Sequence, residues 1–384
     1  MIPIVDLKRQ YKQTGEEIEK AVVDVLRSGA YILGPNTKAL EQEFSQYLGT
    51  KHAIGLNSGT DALHLALRAL DIGKGDEVIT VAFTFVATTE SIEIVGATPV
   101  FVDIDPDTFN MDVTQIEDKI TPRTKAIMPV HLYGQPADMD VIMDIAKRHN
   151  LYVIEDCCQA VGAEYKGKKV GSFGDIGAYS FFPTKNLGGM GDGGMAVTNS
   201  DFLKDRMIAL RNHGGAVRYH HDEIGVNSRL DEIQSAILRV KMNYIDEWNK
   251  MRREVAHRYT ELFKDCEDVI TPKELDETYC VYHQYTIKVP NRDAVQKMLQ
   301  ENGVGAMLYY PIPLHMQKVH AHLGYKMGDL PKTEYNTQHV MSLPMFAELT
   351  AEEQKEIATK VKDAIAKCLS LIHISEPTRH AQIS

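Results

Sequence analysis

Over the first 200 residues, short runs that are apolar at nearly every position alternate with stretches whose apolar residues recur every three or four positions. The uninterrupted runs predict buried strands at Asp76–Ala82, Pro99–Asp103, Lys125–Leu132, Leu151–Glu155, Ala178–Phe182 and Met195–Thr198. The helical period predicts helices at Ser58–Leu70, Thr88–Val95 and Met139–His149. Strands that are apolar throughout and separated by helices imply an α/β fold, with a largely parallel sheet covered on both faces. In such sheets ligands bind at the carboxyl ends of the strands.

The pattern changes at a long helical stretch from Leu230 to Phe263. Its charged side (Asp246, Glu247, Lys250, Arg252, Arg253, Glu254) predicts a solvated face or a bridge between domains. Beyond it the chain mixes a strand (Cys280–Val289) with helices (Arg292–Glu301, Ala351–Cys368). We expect a large α/β domain over 1–250, opened by a helical segment, and a smaller α+β domain over 251–369. The last stretch, 370–384, lacks helical periodicity and contains Pro377, and it reads as a non-native appendage outside the folded unit.

The 384 residues suffice for two or three domains with a large core. A net charge of −11 disfavours broad binding to nucleic acid or an anionic membrane. It leaves room for a small anion held by a local cluster of donors. No apolar run reaches the roughly 18 residues of a membrane span. Residues Met1–Lys8 lack the apolar region of a signal peptide. The five cysteines show no Cys-x-x-Cys spacing, and the adjacent Cys157 and Cys158 suit neither a metal site nor an ordinary disulfide, so a reduced, cytoplasmic setting is expected. His220-His221 beside Asp222 lack a second ligand cluster, and no metal is expected.

The densest candidate chemistry lies at Ser180-Phe-Phe-Pro-Thr-Lys185-Asn, followed by five glycines in seven residues, Gly188 to Gly194. A lysine amine becomes nucleophilic when a desolvated pocket lowers its pKa. Glycines beside it would let backbone approach a bulky planar group. That combination suits a Schiff-base lysine holding pyridoxal phosphate (PLP), although solvated lysines and glycine-rich turns are commonplace. Asn57-Ser58-Gly59-Thr60-Asp61 opens a helix whose free amides and positive dipole end suit a phosphate, or simply an N-cap. Asp156, just past an apolar strand, is placed either to hold a pyridine nitrogen protonated or to cap a helix, and Gln159 lies one turn on, in reach of a ring hydroxyl. Phe85 ends a strand, where an aromatic stacks on a heterocycle or packs in the core. Ser228 to Asp231 fits a capping pattern that leaves Asn227 and Arg229 unexplained, and an arginine at a helix start is unfavourable without an anion. The turn-rich Tyr309-Tyr310-Pro-Ile-Pro-Leu-His315 would line a pocket or pack.

These segments follow one another in an order that resembles the DegT/StrS-type family of PLP-dependent nucleotide-sugar aminotransferases, of fold-type I. The motifs are Ser58-Gly-Thr, Thr84-Phe85-Val-Ala-Thr, Glu155-Asp156-x-x-Gln159, Ser180-Phe-Phe-Pro-Thr-Lys185-Asn, Gly225-x-Asn227-Ser-Arg229-Leu-Asp231 and Tyr310-Pro-Ile-Pro-Leu-His315. The likeness spans Ile4 to Leu369. It implies a large domain with a seven-stranded, mostly parallel sheet and a smaller C-terminal domain. Lys185 matches the lysine that bonds the cofactor and then shuttles a proton. Asp156 matches the partner of the pyridine nitrogen, and Phe85 the aromatic that stacks on the ring. Ser58, Gly59, Thr60 and Ser180 match the phosphate cradle. Asn227 resembles a residue reaching the phosphate from a neighbouring subunit, which implies a homodimer with shared active sites. Arg229, Tyr309, Tyr310 and His315 resemble parts of the sugar-nucleotide pocket.

The resemblance implies two half-reactions, in which L-glutamate leaves its amino group on the cofactor as 2-oxoglutarate departs and a nucleotide-linked keto-sugar then takes it up. Gln159, rather than the histidine of carbon-4 enzymes, favours amination at carbon 3. Amination at carbon 4 and a non-catalytic regulator of the same fold are the alternatives. Two positions depart from the family pattern: Cys157-Cys158 replaces a pair of alanines, and Tyr309 stands where many members have histidine.

Overall fold

A computed structural model describes residues 1–375 apart from Ala216 and Arg218, with side chains to residue 370. Two helices lead in, α1 (Leu7–Ser28) and α2 (Pro35–Leu48), each ended by a glycine in the left-handed region, Gly29 at φ 67° and Gly49 at φ 71°. Then come β1 (His52–Leu56), α3 (Gly59–Ala69), β2 (Glu77–Val81), α4 (Ala87–Ile94), β3 (Thr98–Val102), β4 (Thr124–Ile127), α5 (Met139–His149) and β5 (Tyr152–Asp156). Two short strands, β6 (Glu164–Tyr165) and β7 (Lys168–Lys169), precede β8 (Ile176–Ser180), β9 (Gly194–Thr198) and α6 (Asp201–Arg211).

Seven strands form one sheet in the order β1-β9-β8-β5-β4-β2-β3. Pairing is parallel from β8 to β3, and β9 runs antiparallel to both of its neighbours. Successive residues of β2 enter opposite layers, as the pleat requires: Val78 packs with α3 and α6, Ile79 with α5. Helix α3 turns Leu63 and Leu67 fully inward. Each such side chain contributes on the order of 2 kcal/mol of hydrophobic stabilisation.

The second half holds α7 (Glu232–Met242), α8 (Ile245–Phe263), β10 (Thr278–Tyr279), β11 (Tyr285–Lys288), α9 (Arg292–Glu301), α10 (Pro331–His339), β12 (Val340–Leu343) and α11 (Ala351–Ser375). An antiparallel β11–β12 pair shares an apolar cluster with α8, α9 and α11. Among the described residues, no helix is long and apolar enough to cross a membrane.

Several expectations need correction. The helix expected from Leu230 to Phe263 is two helices, broken at Asn243–Tyr244. The strand expected over Lys125–Leu132 ends at Ile127, because the chain meets Pro129, which has no N–H to give a ladder, and then a 3₁₀ turn over Leu132–Gly134. The strand expected over Cys280–Val289 is regular only at Tyr285–Lys288, and Tyr282 has φ 41°. Residues 370–375 continue α11, against the expectation of an irregular appendage; the remainder of it, 376–384, lies outside the described residues. Arg252 is not on a solvated face: it is buried and donates to the carbonyls of Tyr282, His283 and Met345, each at 3.3 Å.

Candidate active site

The carboxyl ends of β2, β5 and β8 and the start of α3 converge on a cavity of about 380 Å³. Ser58, Gly59, Thr60, Phe85, Asp156, Gln159, Ser180, Lys185, Tyr309 and Tyr310 all line it. Motifs up to 252 positions apart, from Ser58 to Tyr310, therefore meet at one point.

Lys185 follows β8, is half-buried and lines the cavity. Burial lowers its pKa; the thiol of Cys158 and the carboxylate of Asp156 pull in the opposite direction without reversing it. Asp156 ends β5 and is 5% exposed. Its Oδ2 accepts from the Thr88 hydroxyl at 2.8 Å, and its Oδ1 accepts from the Cys158 amide at 3.1 Å. Thr84 and Thr88 share a further hydroxyl contact at 3.0 Å, so a short chain of hydroxyls fixes the carboxylate's rotamer.

Gln159 is oriented without ambiguity. Its Oε1 accepts from the Tyr133 amide at 2.7 Å, which turns its Nε2 to donate to the Tyr310 hydroxyl at 3.1 Å. Tyr310 then keeps its own hydrogen for another acceptor, and burial raises its pKa, so the phenol stays protonated. The rings of Phe85 and Tyr310 lie 6.1 Å apart, and Phe85 remains 54% exposed, an aromatic face turned to open space.

Ser58 caps α3, its hydroxyl accepting from the Asp61 amide at 3.1 Å. A Cβ on Gly59 would lie 2.7 Å from Cβ of Ser180 and 2.8 Å from Sγ of Cys158, so only glycine allows β8 and the helix start to come this close. Cysteine at 158 is accommodated on those terms. This leaves a helix N-terminus beside a serine and a threonine hydroxyl, the donor set that suits a phosphate.

The glycine-rich loop serves a different purpose from the expected one. A Cβ at Gly188 would lie 2.3 Å from the Pro183 carbonyl oxygen, and at Gly194 2.2 Å from that of Ser58. These glycines let the loop pack on the protein's own backbone; of the five, only Gly193 lines the cavity. Two side chains of α7 clamp the loop: Gln234 accepts from the Met190 amide at 2.8 Å, and Lys241 donates to the Gly188 carbonyl at 2.7 Å. Burial lowers the Lys241 pKa to about 8.

Three expected residues do not line this cavity. His315 is buried, with Nε2 3.0 Å from Glu334, and braces the 3₁₀ turn Leu314–Met316. Asn227 is exposed beside a bridge to Asn212, and Arg229 is half-buried with its Nε unpaired. Conversely, Thr88, Thr184, His283 and Gln284, to which the sequence alone assigns no role, do line it. The polar pair His283-Gln284, interrupting the run from Cys280 to Tyr285, is the available signal. Glu155, beside Asp156, is structural: it accepts from the amides of Gly171, Phe173 and Gly174 at 2.6–2.8 Å and pairs with His131.

The model of the DegT/DnrJ/EryC1/StrS aminotransferase family matches residues 12–362. The chain belongs to this family. Its members are PLP-dependent aminotransferases, and the donors around the cavity fit that cofactor. The chain is 52% identical to a "pleiotropic regulatory protein" of Geobacillus stearothermophilus, over 94% of this chain and 98% of the relative. It is 49% identical to a UDP-N-acetyl-3-dehydro-α-D-glucosamine 3-aminotransferase of Acidithiobacillus ferrooxidans, over 94% and 97%. Among solved structures, DesV of S. venezuelae, captured with a ketimine intermediate, superposes with a TM-score of 0.92 at 40% identity, covering 94% of this chain and 98% of DesV.

Proposed function

We propose that this enzyme moves an amino group from L-glutamate to the carbon-3 keto group of a nucleotide-linked sugar. The observation that carries the reading is the half-buried Lys185, its pKa lowered, in one cavity with the fixed carboxylate of Asp156. The carbon-3 assignment draws on relatives: the Acidithiobacillus enzyme and a 41% identical Streptomyces venezuelae transaminase both carry a 3-amino or 3-dehydro sugar in their names. Gln159 in place of histidine agrees with it.

PLP, when bound, supplies an electron-withdrawing ring that makes a neighbouring C–H bond acidic. Asp156 is the group to keep the ring nitrogen protonated, held for that task by Thr88. The start of α3, with Ser58, Gly59, Thr60 and Ser180, would hold the phosphate, and Phe85 would cover the ring. Gln159 would reach the ring hydroxyl. Lys185 would bond the cofactor and, when free of it, would carry the proton as a general base and acid. Tyr309 and Tyr310 face the space left for the sugar.

Asn227 and Arg229 stand apart from their own chain's cavity, and Ile224 beside them is 84% exposed. This supports a homodimer in which both residues serve the partner's site. We place the PLP domain at 1–250 and the smaller domain at 251–369, and the reaction in the cytoplasm.

A regulatory role is the second reading, favoured by the name of the Geobacillus relative. The two separate in one assay. Incubating the PLP-loaded enzyme with L-glutamate and UDP- or dTDP-linked 3-keto-hexoses should yield an amino sugar whose nitrogen NMR places at carbon 3. Nitrogen at carbon 4 would overturn the position, and no turnover on any keto-sugar would favour the regulator.

A further inference from the structure

Gln284 lines the same cavity as Lys185, and among the described residues no group bonds either end of its carboxamide. Its Oε1 is buried without a partner, so the polar end that this half-buried side chain keeps accessible is Nε2. An orphaned buried oxygen weakens a fold rather than supporting it. The backbone on either side is nonetheless held. Arg252 donates to the carbonyls of Tyr282 and His283, each at 3.3 Å, and Tyr285, the next residue, pairs with Leu343 of β12. Gln284 also borders a crevice beside Tyr133 and Tyr282, but that space is about 10 Å³, room for no more than one water. The cavity, at about 380 Å³, is the side from which a ligand can meet the amide.

Each polar part of PLP already has a group to meet it: Asp156 for the ring nitrogen, Gln159 for the ring hydroxyl, and the start of α3 with Ser180 for the phosphate. Gln284 is left for a substrate. L-Glutamate carries two carboxylates, which cations match best. A sugar ring carries uncharged hydroxyl or acylamino groups, which donate and accept hydrogen bonds as a carboxamide does. The Tyr310 hydroxyl, which accepts from Gln159 and still holds its own hydrogen, is a second uncharged donor lining the cavity.

We propose that Gln284 is a specificity-determining residue for the keto-sugar. Its Nε2 donates to an oxygen of an uncharged substituent on the sugar ring, a hydroxyl or an acylamino group, and it takes no part in the half-reaction with glutamate. The proposal rests on the aminotransferase reading, but its first test does not. Gln284→Leu nearly keeps the side chain's volume and removes both hydrogen-bonding atoms. The melting temperature of the cofactor-free variant should equal or exceed that of wild type, because the orphaned oxygen goes and no partner is left unpaired. A fall of more than about 5 °C would make Gln284 a structural residue and overturn the proposal.

The second test separates the two half-reactions by absorbance, with PLP bound. Gln284→Leu should react with L-glutamate within about twofold of the wild-type rate. Its pyridoxamine form should lose at least about tenfold in kcat/KM towards UDP- and dTDP-linked 3-keto-hexoses, the scale of one hydrogen bond to substrate. Equal slowing of both half-reactions, slowing of the glutamate step alone, or an unchanged sugar step would each overturn the assignment. A wild type that takes the amino group from glutamate and passes it to no keto-sugar would instead strike at the functional reading itself.

Discussion

Lys185→Ala is expected to lose at least about 10⁴-fold in the rate of amino transfer while the protein stays folded. The amine does two jobs, bonding the cofactor and moving a proton, and alanine does neither. The fold should survive because, among the described residues, the Lys185 side chain bonds no other element, and its removal takes a charge out of a site where burial already disfavours one. The loss has a matching pH signature in the wild type. Because the pKa of Lys185 lies below that of a free lysine, its neutral amine forms at lower pH than in water. Activity that needs this amine rises with pH through the lowered pKa and falls as pH drops beneath it. Circular dichroism and a melting curve report the fold, and a coupled glutamate assay reports turnover. Retained transamination in Lys185→Ala would remove the lysine from its role.

Asp156→Asn should cost about 10³-fold in kcat, the scale of losing one well-placed electrostatic partner, with PLP still bound. Asparagine is nearly isosteric and can accept from Thr88 or Cys158 with its remaining oxygen, so the wall keeps its shape. What disappears is the negative charge that would hold a proton on the ring nitrogen, and with it the pull on electrons during proton transfer. A variant within tenfold of wild-type kcat would show that Asp156 serves shape alone.

Much of this was legible in the chain, for definite reasons. Strands buried on both faces are apolar throughout, so the parallel β2, β3, β5 and β8 and the antiparallel β9 announced themselves. β1 did not, because Ala53 and Gly55 dilute its apolar run, and yet it forms the sheet edge that delivers α3 to the cavity. Lys185, Asp156 and Gln159 were readable because each follows or ends a strand, where α/β sheets place their ligands. The glycines after Lys185 were noticed for the wrong reason, since sequence shows flexibility but not which backbone atoms crowd it. Arg252 looked solvent-facing among its charged neighbours, and only the fold shows three carbonyls converging on it. His283 was hidden by distance: its orientation depends on Asn186, Asn249 and Val161, which no local pattern links.

The role assigned to Lys185 is to bind PLP and to exchange that bond for an amino group from glutamate. The most direct measurement is the visible absorbance of the purified protein with PLP, recorded before and after L-glutamate is added. The expected result is a yellow band from the lysine-bound cofactor that bleaches to the pyridoxamine form as 2-oxoglutarate appears, and no such band in Lys185→Ala. A wild-type spectrum identical to free PLP, or a lysine-bound band that glutamate leaves unchanged, would contradict it.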